Sequence, residues 1–131
     1  MASEKPFGAL AGLKVIDLTQ ILAGPFATQM LADHGADVIK IEPPQGEFYR
    51  HGMPTRPDDE AGAWPGYFVT VNRNKKSVVV DLRTEEGREL VRELASTADV
   101  FVENFRAGVA DRLGLSYETL SARNPKLVYA T

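Results

Sequence analysis

The chain has 131 residues, 44% hydrophobic and 25% charged, a size and balance that suit one globular domain able to bury about two-thirds of its unfolded surface. A formal charge of −3 argues against a dedicated nucleic-acid binder, which needs positive surface to displace counterions from phosphates. With no cysteine, disulfides, thiolate metal sites and a cysteine nucleophile are excluded; no apolar run suits a signal peptide or the roughly 20 residues of a membrane span, so a cytoplasmic enzyme or binding domain is expected.

Residues 13–42 read as one βαβ unit. Val15, Ile16 and Leu18, flanked by Lys14 and Asp17, give a first strand. Pro25 marks the first position of a helix, where its missing N–H costs nothing, and Phe26, Ala27, Met30 and Leu31 form one apolar stripe at helical spacing. Gly35 can end that helix in the left-handed region, and Val38, Ile39, Lys40 and Ile41 make a second, parallel strand. The crossover loop, Thr19 to Pro25, carries the single glycine Gly24 where a dinucleotide fingerprint needs three. Ile21, Leu22 and Ala23 put Cβ atoms where a diphosphate would lie. The topology is nucleotide-like and the chemistry is unlike that of an NAD site.

Periodicity then disappears over 43–66, a stretch holding Pro43, Pro44, Pro54, Pro57 and Pro65 together with Gly46, Gly52, Gly62 and Gly66. A loop that long inside a compact domain is usually functional or mobile. Residues 67–71 and 77–82 are β-rich and predict a β-hairpin around the turn 72–76, whose asparagines tolerate positive φ. Thr84 suits the N-cap of a helix with Glu85 and Glu86 in its first turn and an apolar stripe of Leu90, Val91, Leu94 and Ala95. Residues 100–102 form a buried strand. Two short helices follow, 109–113 closed by Gly114 and 117–122 capped by Ser116 with Pro125 beyond its end, and residues 127–131 read as a further strand. A chain that stops on a segment reading as sheet interior predicts a portion of something longer.

Several constellations could carry chemistry. Asn72, Arg73, Asn74, Lys75 and Lys76 gather three cations and two amides, which suits a phosphate or, equally, a solvated turn. Glu103, Asn104, Phe105 and Arg106 follow a parallel strand, where open α/β sheets bind ligands; an adenine could rest there, and an ordinary strand-to-helix loop accounts for the same residues. Glu42 holds the place of a ribose-reading acid, or is a strand-end carboxylate paired with Lys40 or Arg50. His34 and His51 lack ligand spacing and support neither a metal site nor a triad. Tyr49, Trp64, Tyr67 and Phe68 gather around the loop, most simply as packing.

Taken in order, residues 13–18, Ala23-Gly24-Pro25-Phe26, residues 31–42, Asn72 to Ser77 and Glu103-Asn104-Phe105-Arg106 resemble the amino-terminal part of the class III coenzyme A transferases. That family includes formyl-CoA transferase, carnitine CoA-transferase and α-methylacyl-CoA racemase, and the similarity runs from about residue 10 to Thr131. The resemblance implies a Rossmann-like α/β domain, with a mostly parallel sheet and flanking helices, that binds CoA within an interlocked homodimer. It also implies acyl transfer between a CoA thioester and a carboxylic acid acceptor through an aspartyl anhydride, or α-proton movement in racemase members. No metal, nucleic acid or membrane enters this picture.

On the same resemblance, the positions matching CoA contacts are Ile21, Leu22, Val80, Asp81, Leu82, Arg83, Asn104, Phe105, Arg106 and Arg112, with Lys75 near the phosphates. The chain departs from the family at Leu22, where formyl-CoA transferase has glutamine, and at Pro43, where an arginine is common. The nucleophilic aspartate is expected downstream of Thr131, so none of the acids present is assigned that role and residues 1–131 are expected to form a CoA-binding part without turnover. Two other readings remain: a fragment of an NAD(P)-dependent oxidoreductase, suggested by the βαβ unit and Glu42, and a non-catalytic interaction module pairing through the edge at residues 127–130.

Overall fold

Short β-rich runs alternating with helices build one parallel sheet in the computed structural model, which describes residues 7–51, 54–55, 57–59 and 65–131. Strand β1 (Lys14–Asp17) lies between β2 (Asp37–Glu42) and β4 (Val100–Val102). Strand β3 (Lys76–Val79) adds outside β2 and β5 (Val128–Ala130) outside β4, giving the order β3-β2-β1-β4-β5. Register sets Ile16 beside Ile39 and Phe101. Parallel neighbours need crossovers, supplied by α1 (Ala23–Asp33), α2 (Gly66–Asn72), α3 (Glu85–Ser96), α4 (Val109–Leu113) and α5 (Tyr117–Arg123). The α/β, mostly parallel architecture expected from the sequence is the one found.

Alternation along the strands divides the core. Ile16 and Phe101 pack with Val91 and Ala95 of α3, Leu120 of α5, and Leu115 and Leu127. Val15 and Val38 pack in a second cluster with Ala32 of α1 and Ala36. Each fully buried valine, isoleucine, leucine or phenylalanine among them contributes about 1.5–3 kcal/mol on burial.

Local chemistry sets the boundaries. Helix α1 begins at Ala23, so Pro25 stands third in the first turn, still among the orphan N–H positions. It ends as predicted at Gly35 (φ +99°), with Gly35 N–H bonded to the Ala32 carbonyl and Ala36 N–H to the Leu31 carbonyl. Thr84 caps α3 by accepting from Gly87 N–H at 3.0 Å. Ser116 precedes α5 without capping it; its hydroxyl meets that of Thr119 at 3.2 Å.

Two further expectations are corrected. The hairpin is absent: residues 67–71 fall inside α2, and β3 pairs with β2 in parallel, Ile39 beside Lys76. Phe68 and Val71 are buried at a helical spacing of three, which the β-rich composition of the run conceals. The apolar stripe of α1 also faces mostly outward, with Phe26 49% and Met30 48% exposed and Leu31 half-buried against the second cluster, while Pro25, Thr28, Gln29 and Ala32 are buried. Thr28 earns that position by donating to Asp17 Oδ2 at 2.6 Å.

Candidate functional site

From β1 the sheet grows toward β2 on one side and β4 on the other, so the crevice beyond Asp17 and Val102 is a topological switch point, where open α/β sheets take ligands. A groove of ≈ 260 Å³ lies at this end, lined by Leu18 and Ile41 beyond or at the strand ends, by Val80, Asp81, Leu82 and Arg83, and by Phe105 and Leu113. Five residues matched through the resemblance therefore meet there: Val80, Asp81, Leu82, Arg83 and Phe105.

The segment after β3 is held by side chains. Arg83 donates to Asp81 through Nε at 2.9 Å and Nη2 at 2.8 Å; these bonds hold the Asp81 carboxyl at about 2 and raise the guanidinium further. Arg88, absent from the sequence-derived set, also lines the groove. Its Nη1 donates to the Leu82 and Arg83 carbonyls, both at 3.0 Å, and its Nη2 to Glu85 at 2.7 Å. The cap at Thr84 fixes where Arg88 falls on the helix, yet no local pattern announces its reach back to those carbonyls. Gly87 permits the approach of α3, because a Cβ there would stand 2.2 Å from the Asp81 carbonyl oxygen.

The crossover loop after β1 is held more completely. Thr19 N–H donates to Asp17 Oδ1 at 2.9 Å, and the Thr19 carbonyl accepts from Lys40 Nζ at 2.8 Å. Asn104 takes both main-chain groups of Gln20, and Ile21 N–H donates to Glu47 Oε1 at 2.9 Å. The lone glycine serves packing, since a Cβ on Gly24 would lie 2.4 Å from Thr19 Cβ. Ile21 and Leu22 are exposed. Of the loop it is Gln20 that lines the groove, along with Pro43, Pro44 and Gln45 from the long connection.

The turn at 72–76 is less free than its composition suggests. Lys75 Nζ meets Asp17 Oδ2 at 2.9 Å, the Pro25 carbonyl at 2.8 Å and Asn72 Oδ1 at 2.8 Å, which uses all three ammonium donors. Burial pulls the Lys75 ammonium below its ordinary pKa, against the opposing pull of Asp17. Arg73 pairs with Asp33 at 2.7 Å and Lys76 with Asp37 at 2.7 Å. The expectation of a phosphate beside Lys75 therefore meets an ammonium without a spare proton. Glu42 takes the paired alternative: Arg50 donates through Nε at 2.5 Å and Nη2 at 2.7 Å, with the Arg50 guanidinium 3.7 Å from the Phe68 ring centroid. Lys40 pairs instead with Glu47, at 2.9 Å. Tyr49 and Tyr67 are in ring contact at 4.3 Å; Trp64 lies outside the described residues.

Beyond β4, Glu103 accepts from Phe105 N–H at 2.5 Å and from the Tyr129 hydroxyl at 3.2 Å, fixing the backbone that carries the Phe105 ring. Burial, then the Glu103 charge, pushes the Tyr129 phenol well above its ordinary range. Arg106 and Arg112 are exposed and do not line the groove. His51 is bonded to the Gln45 carbonyl at 2.5 Å. Among the described residues no helix is long and apolar enough to cross a membrane.

Known proteins resemble this chain in sequence and in fold. A family model described as CoA-transferase family III matches residues 10–131. The succinyl-CoA:mesaconate CoA-transferase of Haloarcula hispanica is 49% identical over 124 residues, 95% of this chain and 31% of that protein. The acetyl-CoA:oxalate CoA-transferase of Acetobacter aceti is 49% identical over 131 residues, 97% of this chain and 32% of that protein. A crystal structure of a CAIB/BAIF family protein from Brucella suis matches with a TM-score of 0.89 at 50% identity, over 95% of this chain and 33% of that one. The chain thus spans 31% to 33% of the length of these relatives. Its parallel sheet, its switch-point groove and a match running from residue 10 to the last residue agree: the chain belongs to CoA-transferase family III.

Proposed function

We propose that residues 1–131 form the CoA-gripping part of an acyl-CoA:carboxylate CoA-transferase, in which a CoA thioester and a carboxylic acid exchange the CoA group. The observation that carries this reading is the convergence of Val80, Asp81, Leu82 and Arg83 with Phe105 in one groove at the switch point. An apolar lining with an aromatic ring suits an adenine, and a guanidinium on the lining suits a phosphate. In this reading Arg83, Arg106 and Arg112 meet the anionic end of the cofactor, while Ile21 and Leu22 offer apolar contact beside it. Asn104 and Lys75 act by holding the loops rather than by touching the cofactor.

The attacking carboxylate is taken to come from sequence downstream of Thr131. The domain assignment of 1–131, the interlocked homodimer and the cytoplasmic setting belong to the same reading and rest on family membership. A transferase is favoured over a racemase by relatives named as CoA-transferases.

Calorimetric titration of the 131-residue chain with coenzyme A tests the reading. Saturable binding without transferase turnover is expected. A folded sample that releases no heat with coenzyme A overturns it, as does full transferase activity from these residues alone. A parallel titration followed by NADH fluorescence is expected to show no change.

A further inference from the structure

Ile21 stands at φ +73°. A β-branched residue enters this left-handed region only at a cost, because its Cβ crowds the following carbonyl oxygen. Such a conformation persists where the surroundings over-determine it. Here the Ile21 N–H donates to Glu47 Oε1 at 2.9 Å, from a Glu47 side chain only 1% exposed. The second carboxylate oxygen pairs with Lys40 Nζ at 2.9 Å, and the same ammonium donates to the Thr19 carbonyl at 2.8 Å. Both ends of a buried ion pair thus grip one loop, at residues 19 and 21. A buried pair is weak evidence for stability, since desolvation offsets its attraction, but it suits the fixing of a conformation. Gln20, between the two grips, lines the groove, as does Gln45 two residues before Glu47.

We infer that Glu47 is a positioning residue for this groove: its carboxylate holds Ile21 in the left-handed region and so presets the crossover loop before coenzyme A arrives. The inference draws on the proposed cofactor for its binding readout only. Without the carboxylate, Ile21 relaxes to negative φ, and apparent affinity falls with the fraction of molecules that keep the competent loop.

Calorimetry with coenzyme A and amide hydrogen exchange, both on the full chain, test it with Glu47→Ala, Glu47→Gln, Ile21→Gly and the double variant E47A/I21G. Glu47→Ala is expected to weaken binding about tenfold and to release the Ile21 amide, while Glu47→Gln, which keeps an acceptor for that amide but turns its NH2 toward the buried Lys40 ammonium, is expected to lower overall stability yet protect the amide better than Glu47→Ala. Glycine adopts positive φ freely, so in the Ile21→Gly background removal of Glu47 is expected to cost less than about threefold. Equal losses in the two backgrounds show that Glu47 acts through stability alone and overturn the inference. Where Glu47→Ala does not fold, the wild-type Ile21 amide decides: protection of at least about tenfold supports the inference, and exchange at the unprotected rate overturns it. A wild-type chain that binds no coenzyme A refutes the cofactor reading, and the exchange readout still judges Glu47.

Discussion

Asn104 is stitched to Gln20 through both ends of its side-chain amide, Oδ1 accepting from the Gln20 N–H and Nδ2 donating to the Gln20 carbonyl, each at 2.9 Å. The pair ties the loop after β4 to the loop after β1 across the switch-point crevice. Two hydrogen bonds of about 0.5–1.5 kcal/mol each place the cost of Asn104→Ala at about 1–3 kcal/mol. Asn104→Asp is expected to be no better, since its second oxygen repels the Gln20 carbonyl. Urea denaturation midpoints measure both, and an unchanged midpoint for Asn104→Ala contradicts the bridge.

Neighbouring lysines of the turn should behave oppositely. Lys75 is paired with Asp17 where both side chains are almost fully buried, whereas the Lys76–Asp37 pair is solvated. Lys75→Ala leaves the Asp17 carboxylate buried without its cation and is expected to cost about 3–5 kcal/mol. Lys76→Ala is expected to stay within about 0.5 kcal/mol of wild type. Denaturation curves that rank the two equally would refute the assignment.

Acid sensitivity should involve Glu42. Burial pushes its carboxyl up, but bonds from Arg50 and Ser77 outweigh burial and leave it below the ordinary 4.5. A depressed carboxylate contributes stability above its ordinary pKa and loses it as pH falls through the folded value. Glu42→Gln is therefore expected to melt lower near neutral pH and to decline less steeply from 4.5 downward. Thermal melts across that range check the slopes, and parallel curves count against the prediction.

Replacing a helical glycine by alanine ordinarily stabilises by about 0.5–1 kcal/mol. At Gly87 the sign is expected to reverse, because the new Cβ would meet the Asp81 carbonyl oxygen at 2.2 Å and the Thr84 hydroxyl at 3.0 Å. The start of α3 would have to withdraw from the groove wall, at a cost of about 1–3 kcal/mol. A raised melting temperature for Gly87→Ala would show that the helix can shift without penalty.

Much of the fold was legible because its signals are local. The βαβ unit announces itself through the β-branched run at 15–16, the helix spacing and Gly35, and α3 through Thr84 and its first-turn acids. Helix α2 was hidden because residues 67–71 are β-rich and only their contacts choose between the two states. The outward stripe of α1 was hidden for a related reason: Thr28 is drawn inward by Asp17, a partner its own helix does not reveal. The turn at 72–76 misled most. Its residues describe a cationic patch, but the acid that takes Lys75 lies 58 residues earlier in the chain. In the groove, Val80 to Arg83 and Phe105 were reached through family likeness, while Glu47 and Arg88 depend on tertiary contacts that no sequence window contains.

The main-chain N–H groups of Thr19, Gln20 and Ile21 are already taken by Asp17, Asn104 and Glu47. An anion arriving at that stretch must therefore be greeted by exchangeable side groups instead of by fixed amides. Such a frame lets selection retune what is recognised one codon at a time while the scaffold stays still.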